Sequence, residues 1–196
     1  MDDLYFESAL VHRAAPDNLS ISMREISERG MIDLRGLSSD KKFMVAAKSV
    51  LGFDLPKAPR TSTSWGDLKA LWLSPDQWLI LSPRKKTIAL LAELNAALAK
   101  IHSLAVDVSD MRSIIRLEGA GVRETLMKGS TLDLIGADYK SGTVRRMRFA
   151  EIAALLHIVE ETVIDIYVFR SYANYAWDFL LKAARKGSEV GAFNKA

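Results

Sequence analysis

The three histidines are the first residues to test for chemistry, because imidazole serves both as a metal ligand and as a general base near neutral pH. His12, His102 and His157 stand far apart, with no carboxylate at ligand spacing near any two of them. The chain has no cysteine, which excludes disulfides, zinc-thiolate and iron–sulfur sites and a catalytic thiol. The sequence therefore predicts no metal site and no catalytic residue, and His157 is interpreted as a hydrogen-bonded or edge-facing histidine of an apolar strand.

A glycine pair, Gly119 and Gly121, stands at a predicted strand-to-helix turn and resembles the start of a dinucleotide-binding fingerprint. The third glycine of that pattern belongs at position 124, where the chain has Glu124. A carboxylate in the first helical turn repels a pyrophosphate, so the pattern predicts a turn and not a phosphate site. The phosphate-loop and nucleophile-elbow motifs do not occur either.

Two basic runs are the next candidates for binding chemistry. Arg84, Lys85 and Lys86 fall in the first turn of a predicted helix, where the helix dipole disfavours cations. The run is either a solvated turn or a contact for an acidic surface on a partner. Arg145–Arg148 enters a predicted strand and is either a solvated edge or a grip for a carboxylate or pteridine-type ligand.

One tryptophan stands apart from the predicted core. Trp65 ends the polar segment Pro56–Gly66, which its prolines and hydroxyl residues mark as an irregular loop, whereas Trp72, Trp78 and Trp177 have apolar neighbours. Exposed tryptophan and arginine are typical anchors of protein interfaces. The predicted partner interface therefore comprises this tryptophan, a nearby arginine, the basic turn and an apolar N-terminal arm: Leu4, Tyr5, Phe6, Arg60, Trp65, Arg84, Lys85 and Lys86.

These residues lie on secondary-structure elements that are predicted to occur as two similar repeats along the chain. Leu19–Ile26 followed by Met31–Gly36 is similar to Leu104–Met111 followed by Ile114–Gly119. Each pair precedes a short amphipathic helix, an apolar hairpin and a longer helix, with Ser82 and Ser171 as the expected N-caps of the longer helices. The sequence predicts an α+β fold of duplicated ferredoxin-like β-β-α-β-β-α halves, with strands shared between them.

The repeat sets the predicted boundaries. Residues 1–18 form an extended N-terminal arm, 19–103 the first half, 104–187 the second half and 188–196 a tail. The first short helix is predicted from about Asp40 to Leu51 with Ser39 as N-cap, and the last helix from Tyr172 to Lys186 with Tyr175 buried.

Composition bounds the function class. The 196 residues are 49% hydrophobic and carry a net charge of +3 from intermixed acidic and basic residues, which indicates a folded protein and gives little support to nucleic-acid binding. We find no signal sequence and no apolar run long enough for a membrane span. The expectation is a soluble cytoplasmic protein with no membrane partner.

Several segments together resemble a known family, the gamma subunit of heterotetrameric sarcosine oxidase. They span nearly the whole chain after the arm and include Leu71–Ile80, Val106–Ser109, Leu126–Leu134, Arg145–Ala150 and Val168–Trp177. The family differs from this chain at Met147, where its members tend to have threonine.

The resemblance implies a fold similar to the folate-binding part of aminomethyltransferases and a place beside alpha, beta and delta subunits. Such complexes oxidise sarcosine to glycine and form hydrogen peroxide with formaldehyde or methylenetetrahydrofolate. It also implies that FAD, FMN, NAD, tetrahydrofolate and zinc are held by the other subunits and that this chain is a non-catalytic assembly subunit. The alternatives are a free-standing folate-binding or aminomethyltransferase-like protein, and the equivalent subunit of an N-methylglutamate dehydrogenase complex.

Overall fold

A computed structural model describes residues 6–136 and 139–191 of the chain. The chain divides into two compact units. We call residues 28–111 with 142–145 the N-half unit, and the remainder, which begins before Ser27 and resumes at Arg112, the C-half unit. Leu4 and Tyr5 of the predicted interface lie outside the described residues.

The elements alternate strand pairs and helices in the order that the repeat predicts. In chain order they are β1 (Ser22–Glu25), β2 (Arg29–Arg35), α1 (Lys41–Leu51), β3 (Ser62–Trp65), β4 (Leu68–Ser74), β5 (Gln77–Pro83), α2 (Arg84–Leu98), β6 (Leu104–Asp107), β7 (Arg112–Glu118), α3 (Val122–Met127), β8 (Val144–Phe149), β9 (Ile152–Glu160), β10 (Val163–Phe169) and α4 (Ala173–Ala183).

The two sheets confirm the duplicated α+β fold. One sheet has the order β3-β4-β5-β2-β6 and the other β8-β9-β10-β7-β1, so equivalent strands occupy equivalent places. The four pairings of the N-half sheet are antiparallel, and so are the pairings of β7 with β1 and β10 and of β9 with β10 in the other sheet. The first strand of each half is exchanged, because β1 pairs with β7 and β6 pairs with β2. Each half also has one more strand than predicted, β3 in the first and β8 in the second.

The core of the N-half unit forms between its sheet and its two helices. Phe43 of α1 stacks on Trp78 of β5 with ring centroids 5.7 Å apart, and the Trp78 indole donates to the Pro56 carbonyl at 2.8 Å. α1 begins at Asp40, whose carboxylate accepts from the amides of Lys42 and Phe43. Asp40 therefore caps the helix in place of the predicted Ser39, while Gly52 closes it with φ 82° as its left-handed geometry requires.

The core of the C-half unit includes part of the predicted arm. Leu10 is 2% exposed and belongs to the same cluster of buried side chains as Ile115, Ile166 and Trp177. The Leu10 amide donates to Ser8 Oγ at 3.0 Å. Because burial of a leucine contributes on the order of 2 kcal/mol, this segment belongs energetically to the fold.

Four further local predictions are wrong. Ser62–Trp65 forms edge strand β3 because hydroxyl side chains suit the half-exposed margin of a sheet. Ser82 remains in β5, and its buried hydroxyl bonds Thr87 Oγ1 at 2.8 Å, so it does not cap α2. Ser171 lies in a 3₁₀ turn before α4, which makes no side-chain cap, and Tyr175 is 42% exposed.

The helices of the described residues are all short or amphipathic. Among residues 6–136 and 139–191, no helix is long and apolar enough to cross a membrane.

Candidate partner interface

Trp65 is the tryptophan that the fold leaves in solvent. It is 70% exposed, whereas Trp78 and Trp177 are at most 1% exposed. It ends β3, the terminal strand of the N-half sheet. Its indole approaches the end of α1, since a Cβ built on Gly52 would lie 3.7 Å from Trp65 Cδ1. The exposure predicted for Trp65 is confirmed, although the residue lies at a strand end and not in an irregular loop.

Two basic residues in the first turn of α2 pair with carboxylates of the N-half unit. Lys86 Nζ lies 2.6 Å from Asp67 Oδ2, and Arg84 Nη2 lies 2.7 Å from Asp110 Oδ1. The Lys86 ammonium lowers the pKa of the Asp67 carboxyl below its ordinary value. These carboxylates offset the cost of placing cations at a helix N-terminus. Lys85, between the two, is exposed.

Two charged pairs lie on segments that adjoin Trp65 or its neighbour Gly52. Asp67 follows Trp65 by two residues, in the β3–β4 turn, and pairs with Lys86 of α2. At the end of α1 beside Gly52, Lys48 Nζ lies 2.7 Å from Asp54 Oδ2. An exposed aromatic residue with a polar rim is the usual composition of an interface hot spot. We name Trp65, Lys48, Asp54, Asp67 and Lys86 the Trp65 surface.

Arg60 lies at the opposite end of β3 from Trp65. It is exposed, has φ 65°, and its carbonyl accepts from the Val144 amide at 2.8 Å. Five residues of extended chain span about 16 Å. The structure therefore pairs Lys86 with Asp67, two residues after Trp65, and places Arg60 beyond the other end of β3.

The arm is held by α4 of the C-half unit. Asn174 donates to the Ala9 carbonyl at 3.4 Å, Arg170 donates to the Glu7 carbonyl, and Arg13 pairs with Asp178. Phe6 is half-buried. Its role at a partner interface remains a prediction.

Sequence reasoning missed a second group of exposed aromatic residues, in the C-half unit. Phe169, Tyr172 and Tyr175 are 37%, 47% and 42% exposed. The Arg112 guanidinium lies 5.2 Å from the centroid of the Phe169 ring, a distance that suits a cation–π contact. The sequence signal is the three-residue spacing of the two tyrosines, with Tyr172 in the turn before α4 and Tyr175 in the first turn of α4, beside buried Ala176 and Trp177.

An ion pair between a half-buried arginine and a buried carboxylate lies in the C-half sheet. Arg116 Nε and Nη2 donate to the two carboxylate oxygens of Asp165 at 2.7 and 2.9 Å, and this contact raises the pKa of the guanidinium. His157 lies opposite Asp165 in the β9–β10 register and is 2% exposed. Within the described ranges, no three histidine, aspartate or glutamate side chains are grouped closely enough to hold a metal ion.

Comparison with known proteins identifies the relatives of this chain. The model of the sarcosine oxidase, gamma subunit family matches residues 35–186. The sarcosine oxidase gamma subunit of Corynebacterium sp. (strain P-1) is 29% identical over 140 residues, which cover 65% of this chain and 68% of that protein. The gamma subunit of Corynebacterium sp. (strain U-96) is 26% identical over 167 residues, or 84% of this chain and 79% of that one.

Solved structures show the same fold. A chain of the heterotetrameric sarcosine oxidase from Corynebacterium sp. U-96 superposes with a TM-score of 0.83 at 24% identity, covering 91% of this chain and 94% of that one. The glycine cleavage system aminomethyltransferase T from Bartonella henselae superposes with a TM-score of 0.65 at 14% identity, over 88% of this chain and 47% of that one. The family match spans most of the chain and both sheets, and this protein belongs to the sarcosine oxidase, gamma subunit family.

Proposed function

We propose that this chain is the gamma subunit of a heterotetrameric sarcosine oxidase and that it acts by holding other subunits rather than by chemistry of its own. Its partners are the alpha, beta and delta subunits, and FAD, FMN, NAD, tetrahydrofolate and zinc belong to those partners. The proposal is supported by the family match over residues 35–186 and by relatives that carry the name of the gamma subunit.

The observation that carries the assembly role is the exposure of Trp65. Folding explains a buried tryptophan by the apolar area that it removes from water, but Trp65 leaves 70% of its surface in solvent. A stable complex buries about 1,200 Å² or more, and its binding energy concentrates in a few aromatic and arginine side chains. The Trp65 surface supplies such an anchor with a charged rim.

The alternative of a free-standing folate-binding protein has weaker support. It needs a carboxylate that faces a pteridine ring. Asp165 is the buried carboxylate of the C-half sheet, and Arg116 already occupies both of its oxygens. The likeness to aminomethyltransferase T lies in the fold.

A substitution at Trp65 tests the proposal. We expect Trp65→Ala to weaken assembly with the other subunits by at least about tenfold, since a hot-spot residue contributes about 2 kcal/mol or more. The melting temperature of the isolated chain should change little, because the side chain is mostly in solvent. Val190→Ala is the matched control, as Val190 is 75% exposed and lies in the C-half unit.

Assembly is measured by titrating the purified chain against the remaining subunits in biolayer interferometry, with a thermal melt of each variant. Undiminished affinity of Trp65→Ala would contradict the assembly role of Trp65. Unfolding of the variant would show instead that Trp65 stabilises the fold.

A further inference from the structure

The inference concerns the outer edge of β3, the strand that Trp65 ends, and it rests on the proposed function. β3 is the terminal strand of the N-half sheet and pairs with β4 on its inner side. A terminal strand presents unpaired amides and carbonyls along its outer side, and those groups can pair with a strand of another chain.

Residues 142–144 of the same chain already pair with the first half of this outer edge. Thr61 and Thr143 form an antiparallel bridge, the Val144 amide donates to the Arg60 carbonyl at 2.8 Å, and Ser62 Oγ donates to the Gly142 carbonyl at 2.9 Å. The edge is therefore compatible with an added antiparallel strand. Pairing stops at Gly142, whose φ of 83° interrupts the extended backbone.

The hydrogen-bond alternation shows which groups face outward beyond that point. The Trp72 amide donates to the Thr61 carbonyl at 3.0 Å, so Thr61, Thr63 and Trp65 direct their backbone groups inward to β4. The Arg60 carbonyl faces outward. By the same alternation, the amide and carbonyl of Ser64 also face outward. Within residues 6–136 and 139–191, no strand pairs with this outer side of β3 beyond Thr61.

The charged residues near β3 indicate which side chains a partner strand carries. The segment 56–69 carries three cations, Lys57, Arg60 and Lys69, and one carboxylate, Asp67. Lys69 stands opposite Ser64 in the β3–β4 register. The segment that contains the edge therefore carries a net charge of +2, and a complementary strand carries acidic side chains.

We propose that an extended acidic segment of a partner subunit pairs with the outer edge of β3 at Ser64 and continues the ladder that Gly142–Val144 begins. Its backbone bonds the Ser64 amide and carbonyl. Its next side chains cover the Trp65 indole, so strand addition and the tryptophan anchor form one contact.

The test removes the outward donor and leaves the inner ladder in place. Ser64→Pro deletes the amide that faces the partner, and proline is tolerated at a solvent-facing position of an edge strand. Ser64→Ala is the matched control, because it keeps the amide and removes only the hydroxyl. We expect Ser64→Pro to raise the Kd for the remaining subunits at least about fivefold, and Ser64→Ala to leave it within about twofold.

Hydrogen exchange gives a readout that does not depend on a variant. In the wild-type chain, the Ser64 amide should become at least about tenfold more protected on assembly, as expected for an amide that enters a sheet ladder. This measurement decides the question if Ser64→Pro fails to fold in the thermal melt.

Salt dependence tests the acidic character of the partner strand. The wild-type Kd should rise severalfold between 50 and 300 mM NaCl, roughly as expected for screened opposite charges, and Lys69→Gln should reduce that rise. A salt-independent Kd would overturn the acidic assignment. The strand-addition proposal alone is overturned if the wild type assembles, Ser64→Pro binds equally well and the Ser64 amide stays unprotected. If the wild type does not assemble at all, both the strand-addition proposal and the proposed function fail.

Discussion

Leu10→Ala tests whether the N-terminal segment belongs to the fold. Leu10 is 2% exposed and contacts the C-half core. A buried leucine-to-alanine change costs about 2–5 kcal/mol, with lower values where the site can collapse onto the cavity. The arm is a surface segment held by few hydrogen bonds, Asn174 to the Ala9 carbonyl among them, so we expect about 2–3 kcal/mol.

For a chain of this size each kcal/mol shifts the melting temperature by about 2–4 °C, so the expected loss is about 5–10 °C. The assay is urea unfolding followed by tryptophan fluorescence, with a thermal melt alongside. Val11→Ala is the matched control, because the adjacent Val11 is 51% exposed and should change stability by less than about 0.5 kcal/mol. Equal effects of the two substitutions would refute the reasoning that the arm is anchored in the core.

Three further predictions concern packing and charge. Gly30→Ala should cost about 1–3 kcal/mol in urea unfolding, because a Cβ there would lie 1.7 Å from Thr87 Oγ1; Gly30→Ala with Thr87→Ala should cost less than the sum of the two single changes. Asp165→Asn should cost about 1–3 kcal/mol, since it removes the counter-charge and two charge-assisted hydrogen bonds of the half-buried Arg116 guanidinium, and a change below about 0.5 kcal/mol would contradict that role. The carboxyl of Asp67 has a pKa below its ordinary 3.8, so its contribution to stability is complete above that value and is lost as the pH falls through the lowered pKa. An NMR titration should show this pKa move back toward 3.8 in Lys86→Gln.

The repeated elements were predictable because local pattern and tertiary packing agree in them. α1 has an apolar face at Phe43, Met44, Ala47, Val50 and Leu51 and a glycine at its end. The structure buries four of these side chains, leaves Val50 half-buried and closes the helix at Gly52. The hairpin of β4 and β5 likewise follows its turn residues. In these segments, periodicity determines which side is buried.

The exchange of first strands was not predictable in detail. β1 and β6 are short strands of alternating pattern, and either sheet offers an antiparallel edge that accepts such a strand. The choice of β7 as the neighbour of β1 depends on contacts between residues about 90 positions apart, such as Met23 with Leu117. Local pattern carries no information on that pairing.

The start of α2 and the exposure of Tyr175 show a second limit of prediction from the sequence. Ser82 followed by Pro83 has the pattern of an N-cap and a first helical residue, but the β2–β5 ladder extends through both residues and holds them in a strand. Tyr175 was expected in the core as part of the buried face of the last helix, but it is 42% exposed. The basic turn was interpreted as either solvated or facing an acidic partner; its ion pairs with Asp67 and Asp110 of the same unit were not predicted, because those residues are distant in sequence.

The central claim is that this chain is an assembly subunit of a larger oxidase, and purification of the complex tests it most directly. The affinity-tagged chain is isolated from the native host under mild salt, and the eluate is analysed by native mass spectrometry with identification of every component. The account predicts one stable species that contains this chain in a fixed ratio with the other three subunits and that oxidises sarcosine. Recovery of the chain alone, or in a complex without the other sarcosine oxidase subunits, would contradict the account.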